Sequence, residues 1–344
     1  MKDTYPQSAP RQAQLSEHRY LVSIQELSSI LSRADILQDE PMANHTTFRV
    51  GGLADFFLTP QTYHQLAGII SLAQNKGIPY FIIGKGSNLI VLDGGIRGLV
   101  ISTEKLNKIV SYDRHLLAEC GAELKDLSAA AAEQGLSGLE FSCGIPGSVG
   151  GAVYMNAGAY EGEISQVLDY TLSLDFSASA PSVKQDSSCF IANLQDISCS
   201  TFRYRKQFAS DLALGYRSSK FQSSGLVLLY AIFALKPAEK SRIQTKIAEL
   251  TQARNDKQPL DLPSAGSVFK RPSGHFAGKL IADSGLRGFR IGDAAVSEKH
   301  CGFIVNLDKA TAADVLAVIA HVQKTVFQRF AVQLQTEVKV IGSA

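Results

Sequence analysis

Cysteine, excess charge of either sign and long apolar runs are all scarce in this chain. Its five cysteines, Cys120, Cys143, Cys189, Cys199 and Cys301, are widely spaced. No pair has metal-ligand spacing, and an odd number does not make a disulfide framework. Packed thiols in a reducing cytoplasm are therefore expected. The seven histidines show no paired spacing, and no metal is assigned. Lys and Arg total 34 against 32 Asp and Glu, which leaves a net charge of +2. That balance gives no bulk attraction to nucleic acid or to an anionic membrane, so a bound anion has to be held by a few placed groups. No apolar run approaches the roughly 18–20 residues of a membrane helix. The N-terminal stretch Met1–Arg19 lacks the apolar core of a secretory signal. Nothing in the pattern calls for an obligate protein partner.

What is present is 344 residues, 45% hydrophobic and 19% charged, enough for two or three domains with cores of their own. Residues 1–18 read as a mobile tail. Leu21, Ile24, Leu27, Ile30 and Leu31 recur at helical spacing and predict a helix within Tyr20–Leu37. Ala54–Leu58 reads as a strand, followed by a helix that Thr59-Pro60 opens and Gly77 stops. Short apolar runs bounded by Gly, Asp or Asn predict strands at Tyr80–Ile83, Leu89–Leu92, Leu99–Ser102, Ile109–Tyr112 and Leu116–Cys120. A helix over Glu123–Glu133 follows. Residues 138–162 read as an ordered glycine-rich loop region, and the serine-rich Phe176–Ser200 as a surface insertion. Strand pattern resumes over Val227–Leu235. Ile243, Ile247 and Leu250 mark a helix ending near Arg254. Thr311 and Asp314 form a capping box for another, with Val315, Ile319, Val322, Val326 and Phe330 on one face. Val332–Ile341 predicts a closing strand. The mixture is α+β, with a separate domain from about residue 240.

Glycine is the most informative residue type, with 28 in the chain. Gly84-Lys85-Gly86-Ser87-Asn88-Leu89 joins two predicted strands. It has neither Walker A spacing nor the third glycine of a Rossmann fingerprint. Successive N–H groups in such a turn still make a concave anion site; the other reading is an ordinary hairpin turn. Gly144-Ile145-Pro146-Gly147-Ser148-Val149-Gly150-Gly151-Ala152 is set among apolar residues, where its N–H groups need partners. A bound dinucleotide or flavin would supply them, and Met155-Asn156-Ala157-Gly158-Ala159-Tyr160 continues the same surface.

Three further groups can do chemistry. Arg217, in Tyr216-Arg217-Ser218-Ser219, either grips a carboxylate through two parallel hydrogen bonds or is a surface arginine like Arg205 in Tyr204-Arg205. Ser267, in Ala265-Gly266-Ser267-Val268-Phe269-Lys270, lies outside any Gly-x-Ser-x-Gly elbow. It either donates a proton to a carbanion or only ends a turn. Glu337 points into or out of a final strand. Lys257, Arg271, Lys279, Arg287 and Arg290 concentrate cations after Arg254, which suits a phosphorylated substrate or a solvated face.

Taken in order, these motifs resemble the UDP-N-acetylenolpyruvoylglucosamine reductase family over about residues 42–342. To the two glycine loops, Gly215-Tyr216-Arg217-Ser218-Ser219 and the Ser267 segment, the resemblance adds Ala277-Gly278-Lys279-Leu280-Ile281 and Gly285-Leu286-Arg287-Gly288. It also rests on Val296-Ser297-Glu298-Lys299-His300, Phe303-Ile304-Val305-Asn306 and Glu337-Val338-Lys339-Val340-Ile341-Gly342. It implies a two-lobed FAD-binding domain of the vanillyl-alcohol-oxidase (PCMH) type, with lobes at 19–110 and 111–239, and a smaller α+β substrate-binding domain at 240–344. Non-covalent FAD would be held by Gly84, Lys85, Gly86, Ser87, Asn88 and Leu89, by Gly144, Ile145, Pro146, Gly147, Ser148, Gly150, Gly151 and Ala152, and by Asn156 and Gly158. Arg217, Ser267 and Glu337 match the family's catalytic residues. Tyr160, Lys257, Arg271, Lys279 and Arg290 are candidates for holding a UDP-sugar.

The activity this implies is NADPH-dependent reduction, through FAD, of UDP-N-acetylglucosamine enolpyruvate to UDP-N-acetylmuramate in peptidoglycan biosynthesis. The chain resembles the shorter subtype, without a substrate-covering tyrosine loop. On this reading Arg217 and Glu337 stabilise an enediolate; Glu337 helps only when protonated or acting through hydrogen bonding, and a raised pKa is expected. Two other readings predict different behaviour. Another FAD oxidoreductase of the same fold often tethers its flavin covalently to His or Cys. A non-catalytic sugar-nucleotide binder takes up UDP-sugar without oxidising NADPH.

Overall fold

The computed structural model describes residues 22–177 and 202–344. The tail reading for 1–18, and all but the first two residues of the insertion reading, lie outside the described residues.

The chain first lays down α1 (Ile24–Ser28), β1 (Ile36–Pro41), β2 (Leu53–Leu58), α2 (Tyr63–Lys76), β3 (Tyr80–Ile83), β4 (Leu89–Val91) and β5 (Ile96–Ser102). Four strands form a sheet in the order β1-β2-β5-β3, with β2 and β3 both parallel to β5. Buried on both faces, β5 is a nearly continuous apolar run rather than an alternating one. A second sheet is antiparallel. Its strands are β6 (Ile109–Tyr112), β7 (His115–Glu119), β8 (Leu168–Asp175), β9 (Arg203–Phe208) and β10 (Val227–Ala234), in the order β9-β8-β10-β7-β6. Its first strand therefore starts two residues before the expected 110/111 division. Helices α3 (Leu124–Glu133) and α4 (Val149–Met155) lie between β7 and β8 in the chain. These two layers share one large apolar core.

Helix α5 (Lys240–Lys257) follows. It packs against α3 and the single turn Glu140–Ser142, so it lies with the second sheet although the sequence break falls at its start. The third unit contains β11 (Ser264–Ser267), α6 (Ala277–Asp283), β12 (Ala294–Val296), β13 (Phe303–Asn306) and α7 (Ala312–Phe330). Its sheet runs β11-β13-β12 and then Arg290–Ile291. The first lobe supplies Phe48, Val50 and Ile90 to this unit's core. Thr47 and Ser264 exchange backbone and side-chain hydrogen bonds across the junction. Asp93 accepts from the N–H groups of Ala312 and Ala313 at 2.8 and 3.0 Å, adding to the Thr311–Asp314 capping box of α7. Finally β14 (Lys339–Ile341) returns to pair in parallel with β4.

Four expected elements differ. The helix within Tyr20–Leu37 shrinks to α1, because the chain turns at Arg33–Asp35 and enters β1 at Ile36. Pairing with β2 prevails over local helical spacing. Thr62, not Thr59, caps α2: the Thr59 N–H and hydroxyl are taken by Asp35, which is buried and also bonded by Gln61 and Lys105. The 138–162 region is not all loop, since Ser148 caps α4 directly. Gly150 and Gly151 in its first turn mask that helix by propensity. Within Val332–Ile341 only β14 is a strand; Thr336 makes an isolated bridge to Phe269.

Candidate active site

A cavity of about 1170 Å³ opens where the two lobes and the third unit meet. Both glycine loops line it. They touch because the first carries no side chain at the contact: a Cβ on Gly84 would lie 2.1 Å from the Ser148 Oγ. Gly86 has φ 62°, and a Cβ there would lie 2.2 Å from the His45 carbonyl oxygen. Among the described residues, no protein acceptor receives the N–H of Gly86, Ser87, Asn88, Gly147 or Ser148. Such converging, unpaired donors fit the diphosphate of a dinucleotide. Lys85 reaches Glu123 at 2.8 Å, so its charge is shared. Of the predicted cofactor residues, all but Gly144 line the cavity. Gly144 instead makes room for Arg254: a Cβ would stand 2.7 Å from the Arg254 Cδ.

Arg217, Ser267 and Glu337 line the same cavity. Arg217 Nε lies 2.6 Å from Glu337 Oε1, and its NH1 donates to the Gly158 carbonyl at 3.2 Å. The backbone of Arg217 has φ 54°, a left-handed conformation that costs a non-glycine residue about 1–3 kcal/mol. Several bonds hold it there. Gly215 and Ser218 exchange backbone hydrogen bonds, Asn156 Nδ2 donates to Gly215, and Gln222 Nε2 donates to the Arg217 carbonyl. Asn156 Oδ1 meanwhile accepts from the Ser165 N–H. Both ends of the Asn156 amide are therefore engaged by the protein, one on the turn and the other on Ser165. Arg205 is not a rival for the site, because it pairs with Asp175 in the β8–β9 sheet.

Ser267 ends β11 beside Gly266, whose φ of 76° suits glycine. The Glu337 N–H donates to the Val268 carbonyl at 2.7 Å, which brings the carboxylate beside the serine segment. Asn88 Nδ2 donates to the Glu337 carbonyl, which joins the first glycine loop to the same place. Burial pushes the Glu337 carboxyl above its usual range, against the lowering pull of Arg217 and then Lys270.

The predicted substrate residues divide. Tyr160 lines the cavity and its hydroxyl donates to the Leu250 carbonyl. Arg271 does not line the cavity itself but touches two residues that do, its N–H donating to the Tyr216 hydroxyl and its guanidinium 4.0 Å from the Phe276 ring centre. Lys257, Lys279 and Arg290 do not line the cavity. Lys257 is exposed at the end of α5, Lys279 pairs with Asp283, and Arg290 pairs with Asp293. Arg254, Gln258 and His300 line it and escaped the sequence reading. Arg254 Nε and Gln258 Oε1 are buried without a hydrogen-bond partner, so a ligand that both accepts and donates fits between them. The missed signal for Arg254 was its place on the Ile243–Ile247–Leu250 stripe of α5.

Among the described residues no His, Cys, Asp or Glu cluster is arranged to hold a metal, and no helix is long and apolar enough to cross a membrane.

Comparison with known proteins agrees with this geometry. An FAD binding domain family matches residues 54–178, and the C-terminal domain of UDP-N-acetylenolpyruvoylglucosamine reductase matches 258–341. The chain is 48% identical over 325 residues to the UDP-N-acetylenolpyruvoylglucosamine reductase of Clostridium perfringens, covering 94% of this chain and 99% of the relative. It is 45% identical to the one from Geobacillus kaustophilus, covering 92% and 97%. The crystal structure of the reductase from Thermus caldophilus matches with a TM-score of 0.69 at 33% identity, over 88% of this chain and 97% of that one. The fold is thus a two-lobed FAD-binding domain followed by the reductase's own C-terminal domain. A cofactor cradle, a half-buried Arg–Glu pair and a serine in one cavity thereby acquire a lineage: the chain belongs to the UDP-N-acetylenolpyruvoylglucosamine reductase family and is an FAD-dependent oxidoreductase of peptidoglycan synthesis.

Proposed function

We propose that the enzyme reduces UDP-N-acetylglucosamine enolpyruvate to UDP-N-acetylmuramate with NADPH, in the cytoplasm, and that Arg217, Ser267 and Glu337 carry the chemistry. The observation that carries this reading is the convergence of those three side chains, through the Arg217–Glu337 contact at 2.6 Å and the Val268–Glu337 backbone bond, in the cavity lined by both glycine loops. The unpaired N–H groups of Gly86–Asn88 and Gly147–Ser148 hold FAD without a covalent bond; bound there, FAD supplies hydride transfer.

The remaining work belongs to the protein. Arg217, fixed by Glu337 and Gly158, offers its free N–H groups to the substrate carboxylate, where negative charge grows once the vinyl group is reduced. Glu337, held in a mostly buried position that favours its neutral form, donates rather than repels as that charge develops. The Ser267 hydroxyl gives its proton to the α-carbon. Serine is a weak acid, and only a strongly basic carbanion in a dry site draws its proton. Tyr160, Arg254 and Arg271 hold the nucleotide portion. Free thiols at Cys120, Cys143 and Cys301 fit a reducing compartment.

Ser267→Ala tests the reading. Reduction of the flavin by NADPH stays close to normal, while its reoxidation by substrate slows by roughly 10²–10⁴-fold. Unchanged reoxidation would remove Ser267 from the mechanism. Flavin released on denaturation excludes the covalent alternative, and NADPH turnover excludes the non-catalytic one.

A further inference from the structure

His300 stands in the cavity wall with a surround that no step above uses. Its ring is half-buried between two glycines. A Cβ on Gly302 would lie 2.9 Å from the His300 Cε1, and one on Gly278 would lie 3.4 Å from the same atom. A side chain at Gly302 would push the imidazole aside, whereas the Gly278 position lies in ordinary contact with it. The point a Gly302 Cβ would occupy is also 3.3 Å from the Ser267 Oγ and 3.1 Å from the His300 Nδ1. Serine and histidine therefore flank one small gap.

The ring's protonation is set by its loop. The Gly302 N–H donates to the His300 Nδ1 at 3.1 Å, so the neutral ring carries its proton on Nε2. Burial lowers the ring's pKa against a raising backbone hydrogen bond, with a smaller lowering contribution from the Arg287 charge. Among the described residues, no protein acceptor takes the Nε2–H. A donor of fixed tautomer, in a cavity wall beside the proton-donating serine, is matched by an anionic oxygen on the ligand.

We propose that His300 is a further substrate-contacting residue, whose neutral Nε2–H donates to the substrate carboxylate beside Ser267 as charge builds on it. This rests on the reading of Ser267 given above. A neutral imidazole stabilises that charge without competing with Ser267 as the acid, because giving up its second proton is far harder than giving up the first from an imidazolium. Gly302 is the residue that positions it.

Two substitutions separate this role from loop support. Asparagine reproduces the Nδ1 acceptor but not the Nε2 donor, and glutamine does the reverse. His300→Asn slows reoxidation of reduced flavin by substrate about 10²-fold, and His300→Gln about tenfold or less, in line with loss of one transition-state donor. Both leave reduction by NADPH within about twofold. The opposite ranking, or an equal loss in both half-reactions, overturns the proposal. Gly302→Ala, which crowds both Ser267 and His300, gives the same selective loss; normal reoxidation in that variant also overturns it. Ser267→Ala runs in parallel. If it is unimpaired, the site reading itself fails; if it is impaired and His300→Asn is not, only the role of His300 fails.

Discussion

The side-chain amide of Asn156 donates to the Gly215 carbonyl at 3.1 Å, two residues before Arg217, and its oxygen accepts from the Ser165 N–H. A buried amide thereby ties the cofactor side of the cavity to the turn that holds the Arg217 backbone in a left-handed conformation. Asn156→Ala strips both bonds: the Gly215 carbonyl keeps the Ser218 N–H, while the Ser165 N–H is left to find water, a loss of about 1–3 kcal/mol in stability. With the turn relaxed, flavin reoxidation falls about tenfold while flavin content stays near that of the parent. Denaturant melts and half-reaction kinetics check both halves; parent-like reoxidation would show that the turn holds without the amide.

Glu337 carries a pH signature. A carboxyl raised by burial contributes stability that is fully present below the ordinary carboxylate pKa and is lost as pH rises through the raised value. Glu337→Gln never ionises. Relative to the parent, its melting temperature therefore improves between pH 4 and pH 8, even as reoxidation slows by about 10²–10³-fold. A difference in melting temperature that stays flat over that range contradicts the raised pKa.

The contact between the glycine loops yields a double-mutant cycle. Gly84→Ala drives a methyl group into the Ser148 Oγ and lowers stability by about 1–3 kcal/mol, with visible loss of bound flavin. Ser148→Ala alone costs about 1 kcal/mol as a lost helix cap. Combined, the two cost less than their sum, because the second change removes the atom that the first strikes. Strict additivity by chemical melts would place the clash elsewhere.

The cations of the last third separate by place. Arg254→Ala raises KM for the sugar nucleotide roughly 10–100-fold, the worth of one charged hydrogen bond. Lys279→Ala and Arg290→Ala, exposed and already paired, change it less than about twofold. Steady-state KM values decide it, and equal effects at all three positions refute the division.

The sequence was most legible where one local pattern met one structural need. The apolar runs at Tyr80–Ile83 and Ile109–Tyr112 are strands as read, and the Thr311–Asp314 box opens α7. Both glycine loops line the cavity, and the three catalytic candidates meet there. What stayed hidden was set by partners distant in sequence. Asp35 claims Thr59 and so moves the start of α2 to Thr62. Arg254 and Lys257 lie within one turn of α5, with like charge, yet only the first faces the cavity. No local pattern separates them.

The parallel pairing of β4 with β14 has a kinetic consequence. Asn88 and Glu337, bonded to each other, are separated by 249 positions in the chain. The glycine loops, in contrast, are joined by contacts within the first half. Closing the longer loop carries the larger entropic cost and comes late in folding. During refolding the protein thus acquires its flavin cradle first and the Glu337 carboxyl in its place afterwards, so yellow colour returns ahead of turnover.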